Sequence, residues 1–215
     1  SKGKKTDTFK KEIFIKAPEA CLIWIKTSAG DLLAKLYSDT PKHQENFVKL
    51  AEDGYYDELL FHRVIKGFMI QTGDPNSRYA AKGKDLGSGG PGYTIPHEIS
   101  DTLYHIKGAL AAARLSDDVN PDKASSGSQF YIVHGRPMST LEIENYGYEK
   151  GITYSEAVQE ILMNQGGAPA LDMEYTVFGQ IIEGFEVIDA IAESKTNQRD
   201  RPLEDVKILK IILIK

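Results

Sequence analysis

Cysteine is almost missing from this 215-residue sequence, with Cys21 the only one. A single thiol excludes an internal disulfide framework and any multi-cysteine zinc or iron–sulfur site. Long hydrophobic runs are missing too, since a membrane-crossing helix takes roughly 20 apolar residues and no stretch here approaches that. There is no long block of Lys or Arg, and 26 basic residues against 31 acidic ones leave a net charge of −5. That balance argues against nucleic acid or an anionic membrane surface as a partner. The remaining composition, 41% hydrophobic and 27% charged, is that of an ordinary soluble globular chain long enough for one large domain or two small ones.

Several site chemistries are absent as well. No G-x-S-x-G turn is present to carry a hydrolase nucleophile. His43, His62, His97, His105 and His134 show no metal-ligand spacing, so each reads as a surface or hydrogen-bonded structural histidine. Asp118, Asn120 and Asp122 imitate the start of a calcium loop. Lys123, however, stands where the tight-turn glycine belongs, and Gln129 where the bidentate glutamate should be. Residues 87–92 match G-x-G-x-x-G, but Pro91 and Pro96 break the helix that a dinucleotide site requires, so a flexible surface loop is expected there. No metal or cofactor is expected.

Residues 1–12 are polar and basic and read as a flexible tail, with no apolar core of a secretory signal. The compartment stays open, because the cytoplasm, a periplasm and a lipid-anchored position after signal removal all fit. Leu22–Ile25 and Leu32–Tyr37, separated by Ser28-Ala29-Gly30-Asp31, predict a hairpin. Thr40-Pro41 opens a helix with a capping hydroxyl, Phe47, Leu50 and Ala51 share its apolar face, and Gly54 ends it. Strand candidates follow at 59–71, 108–114, 129–133 and 174–182, then a helix at 185–194 and a final strand at 206–214. Short strands with frequent glycine suggest a mainly β, antiparallel sheet or barrel rather than βαβ units. Residues 137–169 break the pattern. They contain Thr140-Leu-Glu-Ile-Glu and then Thr153-Tyr-Ser-Glu156, a capping-box pattern leading into apolar residues at helical spacing, which predicts a helical insertion.

The segment from Phe61 to Asp74, FHRVIKGFMIQTGD, is unusual on physical grounds. Arg63 and Gln71 share the parity of a β ladder, and Gly67 allows a bend between them. A guanidinium and an amide would then lie beside Phe68 and Met69. Holding a charge against apolar side chains costs free energy unless it is partnered. An edge-strand Arg with its head in water is the alternative for an isolated residue.

The segment closely resembles the signature of the cyclophilins, the cyclosporin-binding peptidyl-prolyl cis–trans isomerases. Further similar segments lie at Gly108–Arg114, Ser126–Ile132, Leu171-Asp172 and Tyr175–Gly179, so the resemblance spans roughly residues 17 to 214 and is interrupted by 137–169. It implies a closed eight-stranded antiparallel β-barrel capped by two α-helices, with residues 13–215 as a single domain carrying the insertion. Less tail and insertion, about 170 residues remain, the size of one such barrel.

The activity implied is rotation of Xaa-Pro peptide bonds in protein substrates, assisting folding, by a monomer that needs no metal or cofactor. Arg63 matches the catalytic arginine and Gln71 the glutamine that positions it. Phe68, Met69 and Leu171 match the proline-pocket wall, with Tyr131 where many members carry Phe. Ala113 and Gln129 match the neighbouring substrate groove. Arg114 stands at a groove position commonly Asn, and Tyr175 at the usual pocket His. Ala170 replaces a frequent Trp whose N–H binds cyclosporin in sensitive members, so weak cyclosporin binding is expected. Ala-Arg before SQF, and Tyr before TVFG, look like the bacterial branch. Two alternatives belong to other classes: a proline-peptide binding module with little turnover, and a chaperone acting through an apolar face of the insertion. Packing of that face on the barrel is favoured over its exposure.

Overall fold

Ile23, Ile25 and Thr27 alternate inward along the first strand, and this period-two pattern pairs it with the strand that follows the Ser28–Ala29 turn. The computed structural model describes residues 21–214, so the expected tail at 1–12 lies outside the described residues. In chain order the elements are β1 (Cys21–Thr27), β2 (Gly30–Leu36), α1 (Pro41–Glu52), β3 (Arg63–Ile65), β4 (Met69–Thr72), β5 (Thr94–Ile95) and β6 (Ala109–Ala112). There follow β7 (Ser125–Ser126), β8 (Phe130–Val133), α2 (Thr140–Lys150), α3 (Glu156–Asn164), β9 (Val177–Glu183), α4 (Phe185–Ala192) and β10 (Ile208–Ile214).

Eight strands form one antiparallel sheet in the order β10-β1-β2-β9-β6-β8-β4-β3. The sheet curls as the resemblance implies, but the expected closure is overstated. β3 and β10 share no ladder, because β3 is only three residues long and spends its paired edge on β4. The seam is laced instead by the chain just before β3. Leu60 bridges Lys207, Phe61 N donates to Val206 O, and Ile208 N donates to Leu59 O, both at 2.8 Å. β5 and β7 make a separate two-stranded ribbon that is too short to read in the sequence.

The interior is filled by Ile23, Ile25, Leu32, Phe61, Ile70, Leu110, Phe130, Ile132 and Phe178. α1 adds Phe47 and Leu50, and α4 adds Val187, Ile188 and Ile191. Gly54, at φ 67, closes α1 with paired bonds from Gly54 N to Ala51 O and from Tyr55 N to Leu50 O. The N-terminal cap differs from expectation. Thr40 caps nothing through its side chain, and its hydroxyl donates to Tyr37 O. The Glu98 carboxylate accepts the Lys42 and His43 N–H groups instead, at 3.1 and 3.0 Å, delivering negative charge to the helix start from far along the chain.

Residues 137–169 hold α2 and α3. The capping box belongs to α2, where Ser139 and Glu142 exchange side-chain and backbone bonds. α3 is capped by Ser155 and not by Thr153. The apolar faces of the pair bury Met138, Ile143, Tyr154 and Leu162 against Tyr104 and Ile106, so the face considered for a chaperone role is largely packed. Leu141 and Tyr148 remain exposed.

Candidate active site

On β4, β6 and β8, residues of one parity fill the interior while the other parity faces outward. Met69, Ala109, Ala111, Tyr131, Val133 and Val177 form a second apolar cluster on the outer face. One row runs straight across it: Arg63 pairs with Gln71, Gln71 with Tyr131, and Tyr131 with Ala111. Gly67 makes the bend between β3 and β4 at φ 78, its N–H donating to His134 Nδ1 at 3.0 Å.

Arg63, Phe68, Met69, Gln71, Ala113, Arg114, Tyr131, Leu171 and Tyr175 together line a pocket of about 110 Å³. Nine of the ten site residues named from the sequence thus converge on one cavity. The tenth, Gln129, adjoins it and lines a neighbouring cleft of about 880 Å³ with Gln71, Ala113 and Arg114. Leu171 reaches the pocket from a 3₁₀ turn, Pro169–Leu171, in which Ala170 is exposed.

The Arg63 side chain is 43% exposed, and its Nε lies 3.6 Å from Asp200 Oδ2, an ion pair that is too long for a hydrogen bond. Gln71 Nε2 donates to Gln129 Oε1 at 3.0 Å, and Gln129 Nε2 donates to Gly87 O and Gly89 O at 2.9 and 2.7 Å. Asp74 accepts the Gly87 N–H from below. The glycine-rich stretch is an exposed surface loop, as expected, and it is tied to the site at 87–89. β5, and not a helix, follows it. The calcium-like segment is a turn held by Asn120, which accepts from Ala124 N and donates to Ala124 O.

Arg114 is committed to the wall. Its Nε donates to Glu174 O at 2.9 Å, Nη1 pairs with Asp117, and the guanidinium carbon lies 4.6 Å from the Tyr175 ring centre. Tyr175 meets Tyr131 edge to face at 6.0 Å. Burial, reinforced by Tyr175 and Asp172, pushes the Tyr131 phenol well above its ordinary range, so it enters no proton chemistry near neutrality. His62, next to Arg63 in sequence, is buried with no well-formed hydrogen bond to either ring nitrogen among the described residues, and burial pushes it below its ordinary value.

Sequence reasoning misses Asp200, His105, Asp172 and Tyr154, the last three of which form a buried chain behind Tyr131. Leu171-Asp172 is visible as a motif, but nothing in its spacing assigns the carboxylate a partner. Among the described residues no group of His, Cys, Asp or Glu is arranged to hold a metal, and no helix is long and apolar enough to cross a membrane.

The family model described as "Cyclophilin type peptidyl-prolyl cis-trans isomerase/CLD" matches residues 22–212. A Streptococcus pyogenes protein named "Putative bifunctional phosphatase/peptidyl-prolyl cis-trans isomerase" is 39% identical over 86% of this chain, which spans only 37% of that relative's length. Proteins named "Putative peptidyl-prolyl cis-trans isomerase" from Staphylococcus haemolyticus and Staphylococcus aureus are 37% and 39% identical, the match covering 85% of this chain and 85% and 86% of theirs. The crystal structure of a Cryptosporidium parvum cyclophilin-type isomerase matches 91% of this chain and 98% of its own, with a TM-score of 0.65 and 27% identity. A second structure of that protein, in the presence of the dipeptide Ala-Pro, matches with a TM-score of 0.64 at 27% identity, covering 90% of this chain and 99% of its own.

Proposed function

The chain belongs to the cyclophilin-type peptidyl-prolyl cis-trans isomerases, and on that premise we propose that it rotates Xaa-Pro bonds of polypeptide substrates at the pocket beside Arg63, assisting their folding. The observation that carries the reading is Arg63, a charged donor in the lining of a small pocket that Phe68, Met69, Tyr131 and Leu171 also wall. At about 110 Å³ that pocket is well below the roughly 300–1,000 Å³ of sites for drug-sized ligands, and it suits a single ring. Phe68, Met69, Tyr131 and Leu171 supply apolar walls for a pyrrolidine.

Rotation about a peptide bond must overcome amide resonance, a barrier of about 18–20 kcal/mol. Before proline both isomers are populated and exchange over tens to hundreds of seconds. At the twisted midpoint resonance is lost, and the prolyl nitrogen becomes pyramidal with a localised lone pair. A donor aimed at that lone pair binds the twisted state better than either planar isomer, which is catalysis by differential binding. Arg63 supplies such a donor. Its charge is permanent and its fork rigid, and its contact with Asp200, at Nε, is too long to be a hydrogen bond. The apolar walls keep water from competing, and no proton transfer or nucleophile is required.

Isomerisation of an Ala-Pro peptide by the wild type and by Arg63→Ala tests the reading, each tenfold loss of rate equalling about 1.4 kcal/mol of transition-state stabilisation. A loss of tenfold or more is expected. An unchanged rate overturns the role given to Arg63, and tight peptide binding without any acceleration by the wild type points to a binding module instead.

A further inference from the structure

The Tyr131 hydroxyl, behind the ring that walls the pocket, has one hydrogen-bond partner among the described residues, His105 Nε2 at 3.1 Å. His105 Nδ1 lies 2.7 Å from Asp172 Oδ1, which also accepts the His105 backbone N–H at 2.8 Å. The other Asp172 oxygen accepts the Tyr154 hydroxyl at 2.7 Å. All four residues are buried: Tyr131 and Tyr154 are 4% exposed, Asp172 2% and His105 1%. Tyr154 comes from the link between α2 and α3, the part of the chain that the cyclophilin-like signature segments leave unexplained.

Hydrogen-bond chemistry gives this chain a direction. Asp172 only accepts, so both Tyr154 and His105 Nδ1 donate to it. In the neutral ring with Nδ1 protonated, Nε2 keeps its lone pair and Tyr131 donates to it. The phenol hydrogen is then turned inward, which leaves Arg63, Gln71, Arg114 and Tyr175 as the lining side chains that carry a donor toward the pocket. Each link is buried, and a buried hydroxyl or carboxylate that loses a partner must find another by moving. Tyr154 is itself immobilised, edge to face with Tyr104 at 5.1 Å and packed with Ile143 and Leu162. Gly167, just after α3, bridges Ile106, and Ala168 N donates to His105 O at 2.7 Å, so the backbone that carries His105 is also held by this segment.

A second tether starts from the same segment. Lys150, the last residue of α2, donates to Glu174 Oε1 at 3.3 Å. The Glu174 backbone oxygen accepts from Arg114, whose guanidinium covers Tyr175. Asp172 and Glu174 lie between Leu171 and Tyr175, so both tethers end on one wall of the pocket.

We infer that residues 137–169 act as a buttress for the proline pocket, with Tyr154 a positioning residue that sets Tyr131 through Asp172 and His105. The inference rests on the reading of this pocket as the proline site. It assigns the two helices a part in substrate recognition, without themselves meeting substrate.

Two measurements on the full 215-residue protein test it. The first follows the His105 ring nitrogens by ¹⁵N NMR, a readout that needs no turnover. The second is a cycle of Tyr154→Phe, Tyr131→Phe and the double variant, with kcat/KM on an Ala-Pro peptide and the thermal midpoint recorded for each. Both substitutions remove one oxygen and keep the ring, so packing is retained. Tyr154→Phe is expected to move the His105 signals and to lower kcat/KM by about three- to tenfold. The same substitution in the Tyr131→Phe background should change kcat/KM less than about twofold, because the path then ends before the pocket. Unmoved His105 signals, or an equal loss in both backgrounds, overturns the inference and leaves Tyr154 a packing residue. Should the wild type lack turnover, the proposed function fails alone, and the same cycle is read from the Kd of the peptide.

Discussion

Gln71 gives its side-chain amide to Gln129 at 3.0 Å, across the β4–β8 pair, and not to Arg63 opposite it on β3. The family resemblance implies that Gln71 positions the arginine. In the geometry, the amide ties the pocket to the glycine-rich stretch, because Gln129 passes the connection on to the carbonyls of Gly87 and Gly89. Gly89 has no room for a side chain there, since a Cβ would lie 2.1 Å from Asp74 Oδ1.

Gln129→Ala removes all three bonds and frees the rim of the 880 Å³ cleft that lies beside the pocket. A substrate long enough to enter the cleft should lose more than a dipeptide that fills only the pocket. The expected result is a fall in kcat/KM of about tenfold on a tetrapeptide and of about threefold or less on an Ala-Pro dipeptide, at roughly 1 kcal/mol per lost bond. Faster amide hydrogen exchange at 87–90 should accompany it. Equal losses on both substrates would mean that the cleft binds nothing.

Asp200 sets the other side of Arg63. The pair is half exposed and separated by 3.6 Å, a class of contact worth about 0.2–1 kcal/mol. Asp200→Asn should therefore lower kcat/KM about two- to fivefold, chiefly by freeing the guanidinium to sample other rotamers. The stability measured by urea unfolding should move by no more than about 0.5 kcal/mol. Because the contact is exposed, the difference between wild type and variant should shrink at high salt.

Three histidines predict how stability depends on pH. Burial is the largest cause holding His43, His62 and His134 below their ordinary value, with Glu98, Asp74 and Asp189 respectively opposing it. In the unfolded chain each takes up a proton near pH 6.5, whereas the folded chain resists until a lower pH. Stability is thus complete above about pH 6.5 and falls as the pH drops through that value, levelling once the folded-state values are passed. For His62 burial outweighs the opposing pull of Asp74 and of the Leu60 backbone. Urea midpoints at pH 7.5 and 5.5 should differ in the wild type and differ less in His62→Leu. An identical pH dependence in that variant would exclude His62 as a contributor.

The row proposed for catalysis is legible in the sequence because Arg63, Met69 and Gln71 lie within one hairpin, where period-two parity and the Gly67 bend decide which side chains share a face. α1 is legible for a similar local reason, since Phe47, Leu50 and Ala51 recur at helical spacing. What stays hidden is whatever closure brings together. Glu98 caps α1, Asp200 meets Arg63 and Tyr154 meets Asp172 only once the sheet has curled. No local propensity records such pairs. Thr40 misleads because a Thr before Pro carries the cap signature, while Glu98 offers a charged acceptor to the same N–H groups.

Ala170 is the residue expected to set the response to cyclosporin. It is exposed in the 3₁₀ turn beside Leu171, at the position where sensitive family members resemble one another in presenting an indole N–H to the drug. With alanine there, the bond is lost along with the apolar cover of a large ring. Weak binding is expected, with a dissociation constant far above the nanomolar range. Ala170→Trp should restore the donor, and one neutral hydrogen bond of about 0.5–1.5 kcal/mol corresponds to roughly a two- to tenfold gain. Ring burial would add to this, so a tightening of about tenfold or more is expected by calorimetric titration. Because Ala170 is absent from the pocket lining, the gain should appear without a matching change in Ala-Pro peptide affinity. Nanomolar binding by the wild type would overturn the expectation.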